Sequence, residues 1–291
     1  MTAKPLVSVV MAVFNGEKYL RAAIGSILRQ TMDNFELIII DDGSTDQSQA
    51  IARSYHDARI RIIGNDRNIG LAASLNKGID AACGAFIARM DCDDVSYPER
   101  LARQLAALQN DPSLDLVAVR AITIDEDDRV LGLFPCAVTH GEICARPWLG
   151  FHFPHPAWMG RIEWFRKHRY AVPDPYRCED QELLLRSYRD SRFGTLDEIL
   201  FAYRIRSKAD WQKLAKTRRT VFVTQWRHFA GLGQWRFASL AAAAFAAKTV
   251  SDLSGRLAGG AFRNARGSVD PAVVSAWRKV LDGLTAERKA P

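Results

Sequence analysis

The first 120 residues alternate short β-branched runs with segments of helical period, and this alternation constrains the fold more than any other feature of the chain. Leu6–Val13 is an apolar run with Ser8 inside it and predicts a buried strand. Tyr19, Leu20, Ala23, Ile24, Ile27 and Leu28 then recur at helical spacing and form one apolar face. Phe35–Ile40 predicts the next strand, Ser44 or Thr45 the cap of the helix after it, and Ile60–Ile63 a third strand. A helix over Leu71–Ala82 and a strand over Ala85–Met90 follow, then a helix from Pro98 to about Leu108 and a strand near Leu114–Ile122. Strands that are apolar almost throughout must be covered on both faces, so the pattern predicts an α/β fold, a doubly wound, mostly parallel sheet with helices on both sides.

In such sheets the ligand sits beyond the carboxyl ends of the strands. Here those ends read Phe14-Asn15-Gly16, Asp41-Asp42-Gly43-Ser44, Asn65-Asp66 and Asp91-Cys92-Asp93-Asp94, so three of the four are acidic. An edge lined with carboxylates suits a cation, sugar hydroxyls, or a phosphate reached through a metal, because bare carboxylates repel an anion. No Gly-x-Gly-x-x-Gly follows any strand, and Gly70–Gly78 lacks the Gly-Lys-Ser/Thr ending of a P-loop. Asp91 and Asp93, two apart on an extended segment, can turn toward one divalent ion, or can simply form a solvated acidic turn. Cys178-Glu179-Asp180-Gln181 opens a helix with acidic residues, which serves either as ordinary helix-start chemistry or as a general base in a cleft. His152 and His155 lie among aromatics and prolines, as acid–base groups or as packed loop residues.

Beyond residue 125 the alternation weakens. Asp125–Asp128 reads as a hairpin or exposed loop, 146–180 is rich in aromatic residues, Pro and His, and from about 209 the pattern is helical and basic. Charge follows the same division: residues 1–200 hold 23 Lys and Arg against 28 Asp and Glu, net −5, whereas 201–291 hold 17 against 5, net +12. The basicity belongs to the tail, which excludes a uniform nucleic-acid-binding surface. The apolar stretch Phe237–Ala247, mostly alanine, is short of the roughly 20 residues that span a bilayer. The amino terminus lacks a long apolar segment with a small-residue cleavage site, so a cytosolic location is expected. Five cysteines without a Cys-x-x-Cys pair predict reduced, mostly buried thiols rather than a disulfide frame or a zinc site.

Taken together, Pro5–Leu20, Ser26–Thr31, Phe35–Asp46, Asn68–Ala72 and Ala88–Asp94, in this order and spacing, resemble the family 2 glycosyltransferases of GT-A fold over about residues 5–206. The resemblance implies transfer of a sugar, usually with inversion, from a nucleotide-diphosphate donor such as a UDP-sugar, with a divalent metal, Mn2+ or Mg2+. It places the nucleobase and ribose against Ala12, Val13, Phe14 and Glu17, with Asp42 accepting from the base, and Leu71 and Asn76 in the stretch that closes over the nucleotide. Asp91 and Asp93 match its D-x-D element, Asp93 toward the metal and Asp91 toward the ribose or the metal shell. Asp180 matches the catalytic base, and His155-Pro156 an element preceding the acceptor region.

One departure stands out. Where many members carry a His two residues after a Tyr-Arg pair, this chain has Arg206 after Tyr203-Arg204-Ile205. Arg cannot ligate a metal but binds phosphate in a fork, implying either weaker metal affinity or charge neutralisation by Arg206 itself. The implied division is a glycosyltransferase domain over 1–208, with a nucleotide half over 1–125 and an acceptor half over 126–208, followed by a basic helical extension over 209–291. In the tail, Trp211, Trp226, Phe229, Trp235, Phe237 and Phe245 alternate with Lys and Arg. This pattern suits either helices on the anionic inner face of a membrane, where lipid-linked saccharide acceptors occur, or packing on the catalytic domain with the charges solvated. The acceptor expected is a saccharide or lipid-linked saccharide in surface polysaccharide or lipopolysaccharide assembly. The alternative is a nucleotide-sugar-binding partner without strong catalysis, left open by Arg206.

Overall fold

A computed structural model describes residues 4–205, 210–257 and 269–286. The elements run β1 (Val7–Val13), α1 (Leu20–Leu28), β2 (Phe35–Asp41), α2 (Ser48–Arg53), β3 (Ile60–Gly64), α3 (Leu71–Ala81), β4 (Phe86–Asp91) and β5 (Val95–Ser96). They continue with α4 (Arg100–Asn110), β6 (Leu116–Ile124), β7 (Val130–Leu133), α5 (His140–Cys144), a 3-10 turn (His155–Ala157), β8 (Met159–Arg161) and α6 (Ile162–Lys167). The chain ends with α7 (Glu179–Ser187), β9 (Phe193–Arg204), α8 (Trp211–Gly231), α9 (Trp235–Leu257) and α10 (Pro271–Ala286).

One sheet runs in the order β3-β2-β1-β4-β8-β6-β9-β5, with β7 paired to β6. The half predicted from sequence, β3-β2-β1-β4, is wholly parallel. Beyond it the sheet is mixed: β8 lies antiparallel to both β4 and β6, β9 pairs parallel with β6, and β5 returns antiparallel on β9. Strand alternation divides the core between the two faces. Val7, Val9, Met11 and Val13 of β1, with Leu37 and Ile39 of β2, pack against α1, α2 and α4. Val10, Ala12, Ile38 and Ile40 face the other way, onto α3 and the aromatic cluster around Trp158, Trp164 and Phe165. The 120-residue alternation therefore reads out as two hydrophobic layers on one sheet.

Two expectations need correction, and one holds. Ser44 and Thr45 do not cap α2, which starts at Ser48; Ser44 Oγ instead accepts from the Asn15 amide, and the Thr45 amide donates to Asn15 Oδ1. The cysteines are not mostly buried: Cys178 is, Cys83 is exposed, and Cys92, Cys136 and Cys144 are intermediate. The sheet is mostly parallel, as expected: β1, β2, β3, β4, β6 and β9 all run one way, and the short β5, β7 and β8 run against them.

After residue 209 the helices pack on the sheet domain. Phe229 of α8 and Ala238 of α9 join the aromatic core, and Trp148 stacks on Phe237 at 5.2 Å. Trp277 of α10 is buried in the opposite core, stacked on Tyr97 and donating from its indole N–H to Asp128 O at 2.8 Å. Trp226, Leu232 and Trp235 remain exposed. Among the described residues no helix is long and apolar enough to cross a membrane.

Candidate active site

The carboxyl ends of β1 and β2 are joined by their own loops. Asn15, at positive φ, receives Thr45 and meets Ser44; the Gly16 amide donates to Ser48 Oγ; the Glu17 amide donates to Asp46 Oδ2, and Glu17 Oε2 accepts from the Gln47 amide. Gly43 makes the turn possible: its φ is +70°, and a Cβ there would lie 2.6 Å from the Arg67 backbone. Of the residues expected against the nucleotide, Ala12 and Val13 are buried, whereas Phe14 is 48% exposed and offers an aromatic face at the lip. Leu71 is the first residue of α3 and partly buried.

Two expected nucleotide contacts are engaged elsewhere. Asp42 is buried, and its carboxylate accepts from the Ile69 and Gly70 amides and from Asn65 Nδ2 at 2.9–3.0 Å, so it clamps the loop before α3 rather than standing open to a base. Asn76 is likewise taken: Nδ2 donates to Tyr170 O, and Oδ1 accepts from Arg169 Nε and the Tyr170 amide, which ties α3 to the segment after α6. Sequence reasoning missed this use because a helical Asn gives no sign of a partner 94 positions away.

At the end of β4, Asp91, Asp93 and Asp94 bring one oxygen each within 4.8 Å of one another. Burial, then the neighbouring Asp91, push the Asp93 carboxyl up to about 6; Asp94 is raised well above the usual range by burial and by Asp93 and Asp91. Asp94 Oδ1 accepts from the Arg204 amide, whereas Oδ2 is buried without a hydrogen-bond partner. Three crowded carboxylates with an orphaned buried oxygen fit a hard divalent cation, whose charge would offset their repulsion. Arg204 fixes the loop from behind: its guanidinium donates to Asp93 O, Asp125 O and Asp128 Oδ1 and lies 4.0 Å over the Tyr19 ring. Arg206 lies outside the described residues.

Glu179 and Asp180 stand in the first turn of α7, where the helix N-terminus favours negative charge. Burial and the mutual repulsion of the pair work against it: Glu179 is pushed up to about 7, and Asp180 is raised mainly by desolvation although it keeps a partly accessible surface. Gln181 Nε2 donates to Asp180 Oδ2 at 3.1 Å. His155 is buried, with Nε2 2.7 Å from the Tyr170 hydroxyl and Nδ1 3.8 Å from Glu179 Oε1, and burial lowers its pKa, so it serves as a packed neutral imidazole. His152 is exposed. Between the two acidic groups lies Arg89, buried on β4, 2.7 Å from Asp91 Oδ2 and near enough to Glu179 and Asp180 to favour their ionised forms. It had no assigned role in the sequence, and the only signal was a cation inside an apolar strand. Burial raises the thiols of Cys92 and Cys178, the latter to about 12, which disfavours a thiolate nucleophile here.

A mostly parallel sheet with a carboxylate cluster at the end of β4 is an architecture of GT-A type. Residues 8–169 match the model described as glycosyl transferase family 2, and the chain belongs to that family. An uncharacterised glycosyltransferase of Methanocaldococcus jannaschii is 33% identical over 222 residues, covering 74% of this chain and 76% of the relative. EpsE of Bacillus subtilis, placed by name among the glycosyltransferases, is 37% identical over 217 residues, covering 72% of this chain and 76% of its own. Among solved structures, Staphylococcus aureus TarS 1–349 in complex with UDP-GlcNAc is similar in fold at a TM-score of 0.62 and 18% identity, covering 96% of this chain and 80% of that one. The longer TarS chain is covered to 39%. The mannosyltransferase PcManGT of Pyrobaculum calidifontis, in complex with GDP-Man and Mn2+, gives a TM-score of 0.58 at 15% identity, over 98% of this chain and 87% of that one.

Proposed function

We propose that this glycosyltransferase moves a sugar with inversion from a nucleotide-diphosphate donor, a UDP-sugar, to a saccharide hydroxyl in polysaccharide assembly. The observation that carries the reading is the pairing of two acidic groups of different environment. One is a crowded carboxylate cluster at the end of β4; the other is the raised carboxyl of Asp180, a half-buried residue at the start of α7. Asp91 and Asp93 would hold a divalent metal, with Asp94 beside them, and when bound it supplies positive charge against the leaving diphosphate. Asp180 takes the proton of the acceptor hydroxyl as that oxygen bonds to the anomeric carbon; the bond from that carbon to the diphosphate breaks on the opposite side, and the nucleoside diphosphate leaves. Its raised pKa makes Asp180 a stronger base than an exposed aspartate. Phe14 at the lip supports a stacked base.

The division into a catalytic domain over 1–208 and an extension over 209–291 belongs to the same reading. Exposed Trp226, Leu232 and Trp235 beside Arg227 and Arg236 support contact of the extension with an anionic membrane surface on the cytosolic side, where a lipid-linked acceptor would be presented.

Thermal stabilisation by UDP, GDP, CDP and TDP, each with and without Mn2+, tests the donor class. A shift with UDP that depends on Mn2+ is expected. A shift for another nucleotide replaces the donor, and none for any nucleotide at millimolar concentration overturns the reading in favour of a degenerate site.

A further inference from the structure

We propose that Gln181 is a positioning residue for the reaction, holding Asp180 so that one chosen carboxylate oxygen faces the acceptor hydroxyl. The inference rests on Asp180 being the base.

A base acting through a carboxylate needs one oxygen free and the other fixed, because a carboxylate that turns about its own bond presents its lone pairs to the acceptor only part of the time. Among the described residues, the side-chain donor to Asp180 is Gln181: its Nε2 donates to Oδ2 at 3.1 Å, which leaves Oδ1 for the acceptor. The amide is itself held at its other end. Gln181 Oε1 accepts from the Phe151 amide at 2.8 Å, and Nε2 lies 3.4 Å from Phe151 O, so the side chain is paired with both backbone groups of one residue and cannot turn away. That approach requires glycine next door. Gly150 has a φ of +98°, and a Cβ there would sit 2.9 Å from Gln181 Oε1. The clasp thus ties the first turn of α7 to the segment that carries Trp148, which stacks on Phe237 of α9.

The donated hydrogen bond also stabilises charge. Asp180 is flanked by Arg89, which favours its ionised form, and by Glu179, whose own ionisation Asp180 disfavours; Asp91, Tyr170, His155, Cys178 and Glu182 are also grouped around the pair. The Gln181 amide favours the ionised form and opposes burial. Around Gln181 the lining of a cavity of about 220 Å³ is largely apolar, with Leu149, Phe151 and Phe222 among its walls, so an apolar side chain of similar length is accommodated at 181.

The test is Gln181→Met, which keeps the length and removes the amide, compared with Gln181→Glu and Asp180→Asn. Carboxyl titration by carbon-13 NMR on the aspartate-labelled full chain, with Asp180→Asn assigning the resonance, needs no substrate. The Asp180 midpoint is expected to rise in Gln181→Met and to rise further in Gln181→Glu, which brings a third carboxylate to the pair. UDP release from UDP-N-acetylglucosamine with Mn2+, water serving as acceptor, is expected to fall about 10- to 100-fold in kcat with donor KM unchanged, and the acidic limb of kcat is expected to move to higher pH. An unchanged Asp180 midpoint in Gln181→Met overturns the inference, as does a kcat loss without movement of the acidic limb, which would mark a purely structural clasp. If Asp180→Asn retains turnover, it is the base assignment that fails; if Asp180→Asn is inactive and Gln181→Met matches the unaltered protein, only the positioning role fails.

Discussion

Replacing Asp180 by Asn isolates the proton-accepting step, because the two side chains have the same shape and Asn Oδ1 can still accept from Gln181 Nε2. General-base catalysis by a positioned carboxylate contributes about 10²- to 10⁴-fold, so a loss of that size in kcat is expected, or about 3 to 5 kcal/mol in the barrier at 1.36 kcal/mol per decade. Stability should move the other way. Asp180 and Glu179 are adjacent carboxyls in a desolvated turn, Asp180 raises the cost of ionising Glu179, and Asn removes that charge. The melting temperature near pH 8 should therefore hold or rise, and the Glu179 carboxyl should fall back from about 7. The base must be ionised to act, so activity of the unaltered protein should be lost as pH falls through the Asp180 pKa, at a higher pH than for an exposed aspartate. The assays are steady-state release of nucleoside diphosphate, nucleotide affinity by calorimetry and melting by circular dichroism. Unchanged kcat refutes the assignment, and lost nucleotide affinity together with a lowered melting temperature refutes the argument that charge, not shape, is what Asn removes.

Asp93→Ala should abolish the Mn2+-dependent part of nucleotide binding and leave the metal-independent part, measured by calorimetry with and without a chelator. The pH dependence of stability has a definite sign: the Asp93 and Glu179 carboxyls, raised to about 6 and about 7, hold their protons more tightly folded than unfolded. Their contribution is fully present below the ordinary carboxyl values near about 4 and is lost as pH rises through the folded values, so melting without metal should fall between about pH 4 and pH 7, and Mn2+ at the upper end should restore part of the loss. Trp277→Ala should cost about 3 to 5 kcal/mol of stability, because it empties a buried site stacked on Tyr97 and frees the Asp128 carbonyl. A denaturant midpoint unaltered by that change would show that α10 is not part of the core.

The limits of sequence reading in this chain have local physical causes. Strands β1, β2 and β4 were legible because each is a mostly apolar run buried on both faces, and β3 through its three isoleucines although it is only partly buried; the acidic ends of β2 and β4 then fell at the sheet edge by geometry alone. The strand β9 was not legible. It pairs with β6 through register shifts, with Val119 opposite Leu196 and Arg120 opposite Ile199, so Asp197 and Glu198 are left out of the ladder. Those two carboxylates instead pair with Arg120 and Arg103, and they interrupt the period-two pattern where it would have signalled a strand. The short β8, three residues around Gly160, is set by the strands on either side of it rather than by its own sequence. The candidate site divides the same way. Asp91, Asp93 and Asp180 announce themselves by charge at element ends, whereas Asp42, also acidic at a strand end, is held by the Ile69 and Gly70 amides. Arg89, Arg204 and Gln181 act through neighbours that are distant in sequence or through backbone groups, such as Asp93 O and the Phe151 amide, which carry no side-chain identity. The acidic groups proposed to meet substrates are therefore visible in the linear chain, and the side chains that hold those groups in place are visible only once the fold has brought their partners to them.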